Sequence, residues 1–215
     1  MENKKAILIT FEGLEGSGKS TQIELFYKFL KRNKFRVKVL REPGSTLIGE
    51  RIREILLDKK SQKMSETTEF LLYLAARTQL IEEKLDKALK TEDVVICDRF
   101  TDSTIVYQGY GLGLDLNMVK KMVRYFSFSI VADLTFFLDV PVRTALGRLG
   151  SKDRIESRPL SFHQKLRRGY LQMVKQNKKR IKLVSYLDKQ KASIFIRSEF
   201  LKICKVTKSS DSLRK

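Results

Sequence analysis

Two stretches carry residue types that could do chemistry on phosphate groups. Residues 13–20 read GLEGSGKS, a G-x-x-x-x-G-K-[ST] pattern. Its glycines, Gly13, Gly16 and Gly18, let the loop's backbone N–H groups, among them those of Leu14, Glu15 and Ser17, turn inward around an anion. Lys19 brings a positive charge to the β- and γ-phosphates of a nucleoside triphosphate, and Ser20 offers a hydroxyl to Mg2+. The second stretch, residues 98–111, reads DRFTDSTIVYQGYG and follows an apolar run, VVIC. Asp98 stands where a carboxylate can hold the hydration shell of Mg2+. Arg99 beside it can grip a phosphate through two N–H bonds. Tyr107 and Tyr110 promise an aromatic wall, and Gly109, Gly111 and Gly113 a flexible exit.

A third anion-ready cluster is REPGST at 41–46, followed by Arg51 and Arg53. Its Pro-Gly pair reads as a tight turn. Asp139, after LTFFL, rivals Asp98 for magnesium; Pro141 just beyond it reads as a loop start, so Asp98 is preferred. The single histidine, His163, sits in a basic helical stretch and reads as structural. Cys97 reads as a small buried side chain. With Cys204 it makes no disulfide framework, and no Cys/His cluster has metal-ligand spacing.

These residues need a scaffold. The runs AILITF (6–11), VKVL (37–40), VVIC (94–97) and LTFFLDV (134–140) are short and nearly continuous in apolar residues, as in strands buried on both faces. A weaker strand is expected near 193–197. Helical periodicity marks 20–33, 47–58, 66–90, 115–126, 142–149 and 161–187. Alternation of strands and helices predicts parallel βαβ units wound into a three-layer α/β domain. Ligands gather at the carboxyl ends of such strands, where every motif above falls.

At 215 residues the chain reads as one domain. No apolar run approaches the roughly 18 to 20 residues of a membrane span, and the charged start lacks a secretory leader, so a cytoplasmic protein is expected. The net charge is +19, and residues 151–215 hold nineteen Lys and Arg against five Asp and Glu. That field attracts anions, nucleic acid among the candidates. No Asn-Lys-x-Asp stretch is present, which excludes the usual GTPase. The phosphate loop alone leaves open an ATPase acting on nucleic acid, an inactive nucleotide-binding subunit, or a small-molecule kinase. No DNA-binding module or single-strand aromatic platform is recognised, so no nucleic-acid partner is expected.

GLEGSGKST, REPG, FLLYLAARTQ (70–79), DRFTDSTIVYQG (98–109) and DRIE (153–156) occur in the order shown by the thymidylate kinase family, which the chain resembles over about residues 6 to 188. The resemblance implies a nucleoside monophosphate kinase fold on a five-stranded parallel sheet. It implies transfer of the ATP γ-phosphate to thymidine monophosphate (dTMP) with Mg2+, and a homodimer. Helices 66–90 and 115–126 could supply the interface or be core. By position, Tyr73 resembles the aromatic that stacks on thymine and Arg77 the donor to a thymine carbonyl. Thr104 and Gln108 match polar substrate contacts. Tyr107 resembles the wall against deoxyribose, Glu15 the acidic residue at the sugar hydroxyl or magnesium, and Arg53 and Arg99 the grips on the monophosphate. A kinase for another deoxynucleoside monophosphate is the runner-up.

An ionised phosphate acceptor needs no general base, so catalysis should rest on alignment and charge. The phosphate loop holds no arginine, and the extra one is expected from a lid at 146–159, LGRLGSKDRIESRP. Arg148 and Arg154 are the catalytic choices, with Arg158 and Lys152 behind them and Gly147 and Gly150 as hinges. Only Leu149, Gly150, Ser151 and Lys152 separate Arg148 from Asp153, so the lid is short for its bacterial type. The tail beyond Asp188 departs from the family pattern.

Overall fold

Successive residues of a strand point to opposite faces, so a strand covered on both sides must be apolar at consecutive positions. β1 (Ile7–Glu12), β3 (Val94–Asp98) and β4 (Leu134–Leu138) meet that demand. In the computed structural model, which describes residues 6–185 and 188–212 (side chains to 204), they lie at the centre of a parallel sheet. β2 (Val37–Arg41) and β5 (Ile181–Val184) form the edges, in the order β2-β3-β1-β4-β5.

One face of the sheet, with Ile9, Phe11, Ile96 and Phe136, packs against Phe26 and Leu30 of α1 (Lys19–Arg32) and Ile196 and Phe200 of α9 (Lys189–Ser212). The other face, with Leu8, Val95 and Cys97, meets Leu80, Leu85 and Leu89. Those three belong to one long arm: α3 (Glu66–Leu80), a π-helical turn at Ile81–Leu85, and α4 (Asp86–Thr91). Each fully buried Phe or Leu contributes about 1.5–3 kcal/mol, so both layers are needed to hold the sheet. α2 (Leu47–Leu57), α5 (Thr101–Thr104), α6 (Leu116–Phe126), α7 (Val142–Gly147) and α8 (Leu160–Gln176) complete the described α-helices. No helix among the described residues is long and apolar enough to cross a membrane.

Three expectations are corrected. The helix expected over 161–187 ends at Gln176, and Ile181–Val184 is the fifth strand. Asn177 breaks the helix at φ −132°, and its side chain bonds back to Met173 O at 3.1 Å. The strand expected near 193–197 lies inside α9, because Ala192, Ile196 and Phe200 recur every four residues and form one buried helical stripe. The glycines at 109 and 111 are no flexible exit. They sit in a π-helical segment, Ile105–Gly111, where a Cβ would stand 2.6 Å from Leu116 or Leu166. Their smallness lets α6 and α8 pack close.

Candidate active site

β1 turns into the phosphate loop and then into α1. Gly16 sits at φ +74°, and a Cβ there would lie 2.0 Å from the Ala145 carbonyl of α7. Gly18, at φ +91°, opens α1 without a side-chain cap, which leaves the helix's first N–H groups to an anion. Lys19 Nζ donates to Gly13 O at 3.0 Å and Leu14 O at 2.9 Å. Burial and the nearby Arg99 charge pull its pKa down to about 8.

Arg99 follows β3 in the left-handed region, at φ +69°, uncommon for a side chain of its size. Its guanidinium pairs with Glu15 at 2.5 Å, donates to Ser103 Oγ at 3.0 Å and Tyr170 OH at 3.3 Å, and lies over the Tyr107 ring. Tyr107 OH donates to the other Glu15 oxygen at 2.9 Å. Burial works against the charged Glu15, but Arg99 and Lys19 outweigh it and hold the carboxyl at about 2.

Beneath this network lies Glu12, fully buried at the end of β1. It accepts from Phe100 N at 2.9 Å, Ser103 Oγ at 2.5 Å and Tyr170 OH at 2.9 Å. Burial, then the Asp102 charge, push its carboxyl up to about 7. A carboxyl raised on folding binds its proton more tightly in the native state, so stability falls as pH rises from about 4.5 to about 7. Glu12→Gln is therefore expected to gain on the native protein between pH 5 and pH 8, by on the order of 2 kcal/mol in urea unfolding. An equal difference at both values would show that Glu12 does not titrate in this window.

The two magnesium candidates differ. Asp139 is engaged by Arg167 through two bonds, at 2.6 and 2.8 Å. Asp98 keeps a buried Oδ1 without a partner and faces the same cavity as Ser20 and Lys19.

Three hollows meet at the phosphate loop. One, of about 570 Å³, is lined by Tyr73, Thr104, Tyr107 and Gln108, by Arg53 and Arg99, and by Asp153, Ile155 and Glu156 from the lid segment. A second, of about 530 Å³, is lined by Gly16, Lys19, Ser20 and Asp98 and shares Glu15, Arg53 and Arg99 with the first. The third lies between the phosphate loop and the start of α9, with Gln22, Arg148, Lys189 and Ala192 in its walls. Arg77 is not among the lining side chains of the first cavity. It is fully buried behind that wall, where Nη2 bonds Glu42 and, at 2.5 Å, Thr104, while Nε and Nη1 have no partner.

The lid arginines separate. Arg148 is exposed and donates to Gly16 O at 3.1 Å, over the phosphate loop. Arg154, expected as a second catalytic lid arginine, does not join it in this structure. It is buried, pairs with Glu69 of α3 at 2.6 Å, and donates to Leu56 O at 2.7 Å. The DRIE turn is pinned through Arg154 N to Leu57 O at 3.1 Å.

The sequence model of the thymidylate kinase family matches residues 11–193. The chain belongs to this family. It is 43% identical over 181 residues to the thymidylate kinase of Kosmotoga olearia, covering 83% of this chain and 86% of the relative. It is 45% identical over 175 residues to that of Halothermothrix orenii, covering 79% and 84%. The crystal structure of thymidylate kinase from Ehrlichia chaffeensis superposes with a TM-score of 0.74 at 30% identity, covering 90% and 97%.

Within this thymidylate kinase scaffold, sequence reasoning missed Glu12, Glu42, Glu69 and Tyr170. Glu12 had a signal, a charge closing an apolar strand just before the phosphate loop. Glu69 had none, since an acid in the first turn of a helix reads as a partner of the helix dipole.

Proposed function

We propose that this chain transfers the γ-phosphoryl group of ATP to dTMP, giving ADP and thymidine diphosphate, within one kinase domain in the cytoplasm. The observation that carries this reading is the pair of adjoining cavities joined by Arg53, Arg99 and Glu15. The loop cavity suits a triphosphate. The deeper one suits a nucleoside whose 5′-phosphate faces it, with Tyr73 against the base and Tyr107 against C2′ of the sugar. Gln108, which lines this cavity, has an unpartnered carbonyl oxygen, the acceptor that a pyrimidine N–H would take, while Arg77 stands behind the wall and braces Thr104. The third hollow supports a donor-base site on the α9 side.

Ser20 and the unpartnered Asp98 oxygen fit a hard, oxygen-bound cation, and they would hold Mg2+. The ion would neutralise charge on the transferred phosphates. The chain's own residues do the rest. Lys19 holds the loop and adds charge, Arg53 and Arg99 orient the attacking phosphate, and Arg148 places a guanidinium over the loop.

A coupled assay across monophosphate acceptors tests the reading. dTMP is expected to be the preferred acceptor, with deoxyuridylate weaker and ribothymidylate poorest because its 2′-hydroxyl meets Tyr107. Equal turnover of purine monophosphates would overturn it. A homodimer through α2 and α3 fits the exposed Leu47, Ile48, Ile55 and Leu71, whereas α3 and α6 bury Phe70, Leu74, Val119 and Val123 between them. A monomeric mass in sedimentation would exclude the dimer.

A further inference from the structure

We infer that Glu69 is a positioning residue that sets which pyrimidine the acceptor cavity takes, by fixing the orientation of the Gln108 amide. The inference rests on the acceptor reading above. Gln108 is fully buried and lines the cavity. Its Nε2 donates to Glu69 Oε1 at 3.1 Å, and its Oε1 has no protein partner. A side-chain amide has a donor end and an acceptor end that differ by a flip. A carboxylate can only accept, so it takes the NH2 end and leaves the carbonyl for the cavity. The other Glu69 oxygen takes Arg154 at 2.6 Å and Arg158 at 2.7 Å, which balance its charge and fix its rotamer.

The consequence is chemical. A carbonyl presented to the base pairs with an N–H, which thymine and uracil carry at N3. Cytosine has an unprotonated, accepting N3 there, and two acceptors facing each other in a buried site repel. With the amide reversed, the preference would invert. No contact between Glu69 and substrate is required.

The test compares kcat/KM for dTMP and deoxycytidine monophosphate in the native enzyme, Glu69→Gln, Gln108→Leu and the double variant. A glutamine at 69 can donate or accept, so it releases the flip. Glu69→Gln is expected to cut the dTMP preference by about 10-fold or more, the scale of one mismatched buried hydrogen bond. In the Gln108→Leu background the same substitution should leave the preference unmoved. A merely structural role would lower both substrates together, and that result, or equal effects in both backgrounds, overturns the inference. If Glu69→Gln does not fold, NMR of the native protein labelled with 15N-glutamine decides. Slowly exchanging Gln108 amide protons support the inference, and rapidly exchanging ones defeat it. A native enzyme that leaves dTMP unphosphorylated would instead overturn the acceptor reading.

Discussion

Lys19→Ala is expected to lower kcat by about 10³-fold or more while the protein stays folded. Two effects combine. Lys19 supplies charge where the transferred group develops it, and its ammonium ties the Gly13 and Leu14 carbonyls together, so its loss also loosens the loop. The fold should survive, because the site lies at the strand ends and the two core layers do not include it. Steady-state kinetics with circular dichroism checks this. A folded variant working at near-native rate would remove the phosphate loop from the mechanism.

Arg148→Ala is expected to cost a similar factor, on the order of 10³, almost wholly in kcat, as for other arginines that meet a transferring phosphoryl group. Arg154→Ala should behave differently. It strips one cation from buried Glu69, so stability should fall by about 3 kcal/mol. Its kinetic effect should lie mainly in the KM for dTMP. The contrast is informative because both residues sit in one short segment. A kcat collapse in Arg154→Ala with an intact Arg148→Ala would reverse the assignment.

Much of this was legible in the sequence for identifiable reasons. The strands β1, β3 and β4 are apolar at consecutive positions, and the phosphate loop has its strand and helix on either side. Asp98 and Arg99 fall at a strand end because the parallel register sets Phe11 beside Asp98. The edges were harder. β5 pairs with one neighbour only and shows half-exposed positions, so IKLV blends into the basic helix before it. Ile194, Phe195 and Ile196 in α9 resemble a strand over a short window, whereas Ala192, Ile196 and Phe200 recur at helical spacing over a longer one. Pairing between distant segments was the least legible. Arg154 was separable from Arg148 only once α3 had brought Glu69 against the lid, and no local pattern encodes a contact across that distance in the chain.

Phosphoryl transfer in this chain should run directly between two nucleotides held in adjoining cradles. 31P NMR of the purified protein with ATP, Mg2+ and dTMP follows every phosphate at once. Thymidine diphosphate should appear in step with ADP, with no inorganic phosphate released. ADP and inorganic phosphate accumulating beside unchanged dTMP would contradict it.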